Sequence, residues 1–368
     1  MAERNATAED AGGLSRLLAA SSRHAWVLLG ALVVVAAALP ALGLSGFYMT
    51  VVAEMFVFAV LALSWDFVGG QTGYPSFGNM AFFGFGAYTT AILLKDVGVA
   101  FPAAVLVAGP VAMAFALVIG LAVLRLRGGY FAIATLGVLL VSVQLSRNFE
   151  FTGGASGKIL FDVPPELTFY YVFLAILAVE TAAVLYLTRT QFGYVLNAIR
   201  DDEPRAVAMG VDTTYYKTAA WMLSALFTGW VGGAWGTFNT FIDPQTAYNL
   251  GWNVELITMA LIGGAGTVAG PILGAFVLTL VIFAVNTVFP GWQLVALGLV
   301  IVATVLLLPD GIVGTVQERA AAMEYYQVSG GAAPDDTERD RAGDGGDGGG
   351  SRDREGGDPE RDSEVTDP

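Results

Sequence analysis

The sequence predicts an all-α protein that crosses a lipid bilayer about ten times, and three observations carry that reading. Of its 368 residues 55% are hydrophobic and 14% charged, with a mean hydropathy of +0.63, too apolar for a soluble domain of this length. Apolar runs of spanning length recur along the chain. Basic residues fall preferentially on alternate connections, as expected of a multi-pass protein.

Runs long enough to cross about 30 Å of hydrocarbon cover Ala25–Leu44, Phe47–Val68, Ser76–Leu94, Pro102–Leu124 and Gly128–Leu145. They continue with Leu167–Leu187, Thr218–Phe241, Ala269–Val288 and the shorter Trp292–Leu308. Gly251–Ile262 is too short for an upright span and too apolar for a loop, and it ends at Gly263-Gly264-Ala265-Gly266. It is counted as a short tenth span. With both termini cytoplasmic, Arg4, Arg16, Arg23, Arg125, Arg127, Arg189, Arg200, Arg205, Lys217 and Arg319 lie inside, and only Lys95, Arg147 and Lys158 outside. A re-entrant short segment would leave nine crossings and put the C-terminus outside.

The chain divides into a cytoplasmic segment 1–24, a membrane domain 25–316 and an acidic tail 317–368. The first apolar run is read as a retained helix, because a polar lead and a full-length span distinguish it from a signal peptide. The formal net charge of −14 is concentrated in the tail, since the residues from Glu318 onward hold 15 of the 32 acids and 6 of the 18 bases. With almost no apolar residues after Val328, the tail is expected to be disordered. Its acidic bias, with three lysines against fifteen arginines in the chain, suits a salt-rich cytoplasm.

Cysteine is absent and His24 is the single histidine, so disulfides, thiolate chemistry and histidine metal sites are excluded. No metal, cofactor, nucleic acid or catalytic set is expected. The stretch F-T-G-G-A-S-G-K-I approaches a phosphate-binding loop but has Thr152 where the first glycine belongs and Ile159 where Ser or Thr belongs, so it is not read as a nucleotide site.

The connection Arg189–Asp212 is the most informative segment. Glu203 suits an N-cap, Pro204 a first helical position and Gly210 a left-handed residue after the last turn, framing a helix Pro204–Met209. Ala206 and Ala208 let a partner approach the backbone, and Asp201, Asp202 and Glu203 lie where the helix dipole favours negative charge. It reads either as a docking element or as an ordinary polar connection.

Small residues crowd Gly69–Gly86, Thr135–Gly137, Gly229–Gly236 and Gly263–Gly274. The G-x-x-x-G pairs Gly229/Gly233 and Gly232/Gly236 suit close helix packing. Broken segments within a bilayer are tolerated only against protein or a water-filled cavity, and so point to a pathway. The carboxylates Glu54, Asp66, Glu180 and Glu255 each cost about 2.5–3.5 kcal/mol at a bilayer centre. Asp66 and Glu255, near segment ends, are expected to reach the interface. Glu54 and Glu180 are candidates for the pathway or for interhelical bonding. Ser76, Asn79, Tyr88, Thr135, Gln144 and Asn239 are neutral groups able either to line a passage or to bond between helices.

Six blocks in order resemble the LivM-type permease subunits of ATP-binding-cassette importers for branched-chain amino acids. They are W-D-F-V-G-G-Q-T-G-Y-P-S-F-G-N-M-A-F-F-G-F-G-A-Y (65–88), L-R-L-R-G-G-Y-F-A-I-A-T-L (124–136), T-G-G-A-S-G (152–157), F-G-Y-V-L-N-A-I-R-D-D-E-P-R-A-V-A-M-G-V-D (192–212), the helix from Lys217, and I-G-G-A-G-T-V-A-G-P-I-L-G-A (262–275). The chain departs from that pattern at Asn79, where histidine is common, and at Asp310, where a basic residue is common.

The resemblance implies a ten-helix, vitamin-B12-importer-like permease in the plasma membrane. It would pair with a second homologous permease, two cytoplasmic ATPases and an extracytoplasmic binding protein. The connection 189–217 would be the coupling loop, with Glu203, Arg205, Ala206, Ala208 and Gly210 as ATPase contact or shape residues. Candidate pathway residues are Glu54, Ser76, Asn79, Tyr88, Thr135, Glu180 and Asn239. Related systems carry urea, short amides or other amino acids. A self-sufficient secondary transporter is the other class, and it would not need a coupling helix.

Overall fold

The computed structural model describes residues 26–27, 29–43, 46–161, 163–307 and 311–315, all within the unit Met1–Val316. His24, Asp310 and the acidic tail lie outside the described residues. The described chain is almost wholly helical: α1 (Leu29–Ala41), α2 (Gly46–Thr72), α3 (Asn79–Ile92), α4 (Phe101–Val123), α5 (Gly129–Asn148) and α6 (Glu166–Leu187). Then follow α7 (Gln191–Ala208), α8 (Thr213–Phe238), the single turn α9 (Pro244–Ala247), α10 (Leu250–Gly263), α11 (Ala269–Val288) and α12 (Gln293–Leu307). Two short strands, β1 (Lys158–Ile159) and β2 (Phe241–Ile242), pair antiparallel with Lys158 opposite Ile242.

Each apolar run of the sequence corresponds to a helix, with ends shifted by a few residues. Five helices, α2, α4, α5, α6 and α11, are long and apolar enough to cross a membrane. The start of α8 lies earlier than expected, at Thr213 rather than Thr218, and that of α3 later, at Asn79 rather than Ser76. The Trp65 indole N–H donates to the Ser76 carbonyl at 2.8 Å, and the Ser76 hydroxyl accepts from the Gly78 N–H, holding 74–78 as a loop. At 14 residues α10 reaches only about 21 Å at 1.5 Å per residue, short of a full span as its sequence indicates.

The centre of the bundle is α8, packed against α3 and α4. Its glycines form the seam. A Cβ on Gly232 would lie 2.2 Å from the Phe83 carbonyl oxygen, one on Gly229 2.5 Å from the Ala112 methyl, and one on Gly86 of α3 2.1 Å from the Gly229 carbonyl oxygen. The G-x-x-x-G pattern is thus spent within the chain. Outward faces of α4, α5 and α12 carry Leu106, Val118, Ile133, Leu140, Leu294 and Leu299 exposed, the surface a lipid-facing helix presents.

A second seam joins α10 to α11, where a Cβ on Gly274 would come within 1.9 Å of the Met259 carbonyl oxygen. Gly137 on α5 has nothing within 4 Å. Gly274→Ala is therefore expected to cost at least about 1–3 kcal/mol by overpacking and Gly137→Ala next to nothing. Apparent melting temperatures of the two detergent-purified variants check this, and equal values would show that the α10–α11 seam can part freely.

Candidate functional site

Two polar features stand at opposite ends of α2 and α8. From Lys217 to Asn239 along α8 is about 33 Å, and from Glu54 to Thr72 along α2 about 27 Å, at 1.5 Å per residue. At one end is a buried charged cluster under α7, and at the other a polar cavity.

The cluster begins with how α7 is broken. Asp202 is extended (φ −161°, ψ 93°), interrupting the helix, and its Oδ1 accepts from the Arg205 N–H at 3.0 Å. The cap of the final turns is Asp202, not Glu203 as the sequence suggested. Being one residue inside the new start, Glu203 turns inward. The segment ends as foreseen: Gly210 is left-handed (φ 87°), its N–H donates to the Val207 carbonyl, and the Val211 N–H reaches back to that of Ala206, a Schellman closure. Asp212 then caps α8 by accepting from the Tyr215 N–H at 3.1 Å.

Glu203 is 8% exposed and Lys217 4%. The Lys217 ammonium donates to Glu203 Oε1 at 2.6 Å, to the Tyr74 hydroxyl oxygen at 3.2 Å and to the Leu124 carbonyl at 3.5 Å. The Tyr74 hydroxyl donates to the other Glu203 oxygen, with the Arg127 guanidinium 3.8 Å from it. Burial would raise the Glu203 carboxyl, but the Lys217 and Tyr74 hydrogen bonds and the Lys217 charge outweigh it and hold the group below its ordinary 4.5. Burial, with the Glu203 contact, pushes the Tyr74 hydroxyl up, so it stays a donor. One carboxylate thereby ties α7 to α8, to the α2–α3 loop and to the end of α4.

This geometry sorts the residues expected to meet an ATPase. Arg205, Ala208 and Gly210 are exposed, as are Val207 and Met209, whereas Glu203 and Ala206 are buried. Ala206 packs in a cluster with Ile199, Trp221 and Phe131. Glu203 and Ala206 face the protein's own interior. Lys217, Tyr74 and Arg127 were not singled out from the sequence. The available signal was a lysine placed four residues inside an otherwise apolar helix.

Beside this cluster the broken turn after α10 is clasped to α2. The Gly266 N–H donates to Asp66 Oδ1 at 2.7 Å, Gln71 donates to the Gly266 carbonyl at 2.9 Å, and Arg200 donates to the Gly70 carbonyl at 3.2 Å. Asp66 does not reach an interface, as its position near a segment end suggested. It is 1% exposed and satisfies a backbone donor.

At the far end, α2, α8, α10, α11 and the start of α12 border an open cavity of about 310 Å³. Glu54, Asn239 and Glu255 line it, with Trp235, Trp252 and Thr279. Glu255 thus lines this cavity. The other candidate pathway residues lie inside helix contacts. Glu180, fully buried, accepts from the Ser64 hydroxyl of α2, Asn79 donates to Ser224 at 3.2 Å, and Thr135 accepts from the Phe77 N–H at 3.0 Å. Tyr88 stacks on Tyr248 with centroids 5.9 Å apart, and Ser76 is occupied in the 74–78 loop. The phosphate-loop lookalike leads into β1 rather than a helix, and its Lys158 is paired with Asp96.

The family described as branched-chain amino acid transport system / permease component matches residues 47–305. The chain belongs to that family. Among curated relatives, the permease is 27% identical over 318 residues to the high-affinity branched-chain amino acid transport system permease protein LivM of Salmonella typhimurium, covering 78% of this chain and 74% of the relative. LivM of Escherichia coli is 27% identical over 288 residues, covering 70% of this chain and 67% of the relative. A probable branched-chain amino acid transport permease protein LivH of Methanocaldococcus jannaschii matches over 138 residues at 27%, covering 35% of this chain and 43% of the relative. No solved structure matches the permease significantly. The resemblance noted in the sequence is borne out at the level of the family and its transport function.

Proposed function

We propose that the permease forms half of the translocation passage of an ATP-driven importer for branched-chain amino acids. A second, homologous permease supplies the other half, two cytoplasmic ATPases drive it, and an extracytoplasmic binding protein delivers substrate. The carrying observation is the α7–α8 corner, a capped, Schellman-closed segment anchored from inside by Glu203 and Lys217, with Arg205, Val207, Ala208 and Met209 facing outward. A part so anchored can pass a push on its outer face into the membrane helices. On this reading the chain crosses the membrane ten times with both termini in the cytoplasm, and the α7 end of α8 faces the ATPases.

Proteoliposomes holding all five kinds of subunit should accumulate L-leucine with ATP, and the purified permease alone should bind no nucleotide above a denatured control. Leucine uptake without the ATPases, or specific binding of micromolar ATP to the isolated chain, would refute the assignment.

A further inference from the structure

The cavity at the far end of the bundle holds two carboxylates that no basic side chain among the described residues neutralises. Glu54 of α2 and Glu255 of α10 both line it, and none of the ion pairs among the described residues includes either. No Lys, Arg or His stands among the lining residues. Carboxylates in apolar helices ordinarily face a partner or a water-filled cavity, and here both line the cavity, Glu54 exposed and Glu255 half-buried. An independent feature points the same way. Thr279 of α11 lines the cavity, is 6% exposed, and its hydroxyl has no hydrogen-bond partner among the described residues, a condition that normally calls for a further group.

The remaining walls are mixed: the amides of Asn239, Asn286 and Gln293 stand beside aliphatic and aromatic side chains, two of them tryptophans. Trp235 and Trp252 meet edge to face with centroids 4.8 Å apart, offering an apolar surface and ring faces that attract cations. A volume of about 310 Å³ is at the small end of small-molecule sites, roughly 300–1,000 Å³, and suits a guest of amino-acid size rather than a peptide.

We propose that this cavity is a seat for a small amphiphilic ammonium ion, the amino end of a passing amino acid. Glu54 and Glu255 are its counter-charges, the Thr279 hydroxyl bonds its polar end, and the two tryptophans take its hydrocarbon. The inference rests on the reading of the chain as an amino acid permease and assigns which end of the zwitterion the chain grips. Two carboxylates with no basic residue beside them favour the amino end of the substrate over its carboxylate, and a weak overall grip favours release.

The test uses the full-length chain in nanodiscs and follows tryptophan fluorescence during titration with isoamylamine, which keeps the amine and lacks the carboxylate, and with isocaproate, which has the reverse. Isoamylamine should give a saturable change and isocaproate none at the same concentration. In E54Q/E255Q the half-saturating isoamylamine concentration should rise at least ten-fold. Equal responses to amine and acid, no amine-dependent change, or an unaltered curve in the double variant would overturn the proposal. Should the double variant fail to fold, the amine-against-acid comparison on the parent chain decides alone. Leucine uptake by the assembled transporter tests the transport reading separately, and its success alongside a silent amine titration would reject this inference only.

Discussion

Lys217→Met is expected to destabilise the permease by about 3–5 kcal/mol, the cost of leaving one member of a buried ion pair without the other. Its partner Glu203 is 8% exposed and would keep only the Tyr74 and Thr213 hydrogen bonds and the more distant Arg127 among the described residues. Removing the charge as well, in E203Q/K217M, should recover most of the loss, because the penalty comes from the uncompensated carboxylate. Apparent melting temperatures of both variants, at one scan rate in one detergent, check this. A single variant as stable as the parent would show that Glu203 is hydrated.

The same cluster sets a pH dependence whose sign follows from linkage. Because the folded Glu203 carboxyl lies below its ordinary 4.5, its stabilisation is fully present above that value and is lost as pH falls through the lower, folded one. The gap in melting temperature between the parent and E203Q/K217M should therefore be flat from about pH 8 to pH 5 and close only in more acidic buffer.

Ala206→Glu and Ala208→Glu, two positions apart, should fail in different ways. Ala206 is 4% exposed against Ile199 and Trp221, so a carboxylate there is either buried unpaired, at a cost of several kcal/mol, or forces α7 off the bundle. Membrane abundance should fall several-fold. Ala208 is exposed on the same segment, and glutamate there should leave abundance at the parental level while lowering substrate-stimulated ATP hydrolysis of the assembled transporter by about ten-fold, roughly 1.4 kcal/mol of docking energy. Quantitative blotting and ATPase assays separate the outcomes. Parental hydrolysis by A208E with full ATPase association would remove this face from the docking surface.

Helix existence was legible because each apolar run is long, and hydrophobic length is what a bilayer selects. The left-handed closure at Gly210 was legible because few residues other than glycine take that backbone. What the chain keeps hidden is which way a side chain turns. Glu203 reads as a cap by composition, but Asp202 takes the position, and a shift of one residue on a helix rotates the side chain by about 100°, here from solvent to core. The same applies to Asp66 and Glu255. Both lie near segment ends, yet one faces the Gly266 N–H and the other the cavity, a choice made by helices far away in sequence. Thr279, seemingly an ordinary polar residue in an apolar helix, carries meaning only once the cavity beside it is seen.

The glycine seam of α8 also bears on how the bundle can move. With Gly232 against the Phe83 carbonyl, Gly229 against Ala112, and Gly86 against the Gly229 carbonyl, the backbones of α3, α4 and α8 interlock like meshed teeth. Sliding α8 by one residue would drive a side chain where only hydrogen fits, so the seam disfavours sliding between the three helices. Because α8 runs from Lys217 under the α7 corner to its C-cap Asn239 at the cavity, a close-packed seam of this kind joins the two ends of the bundle through one interlocked block.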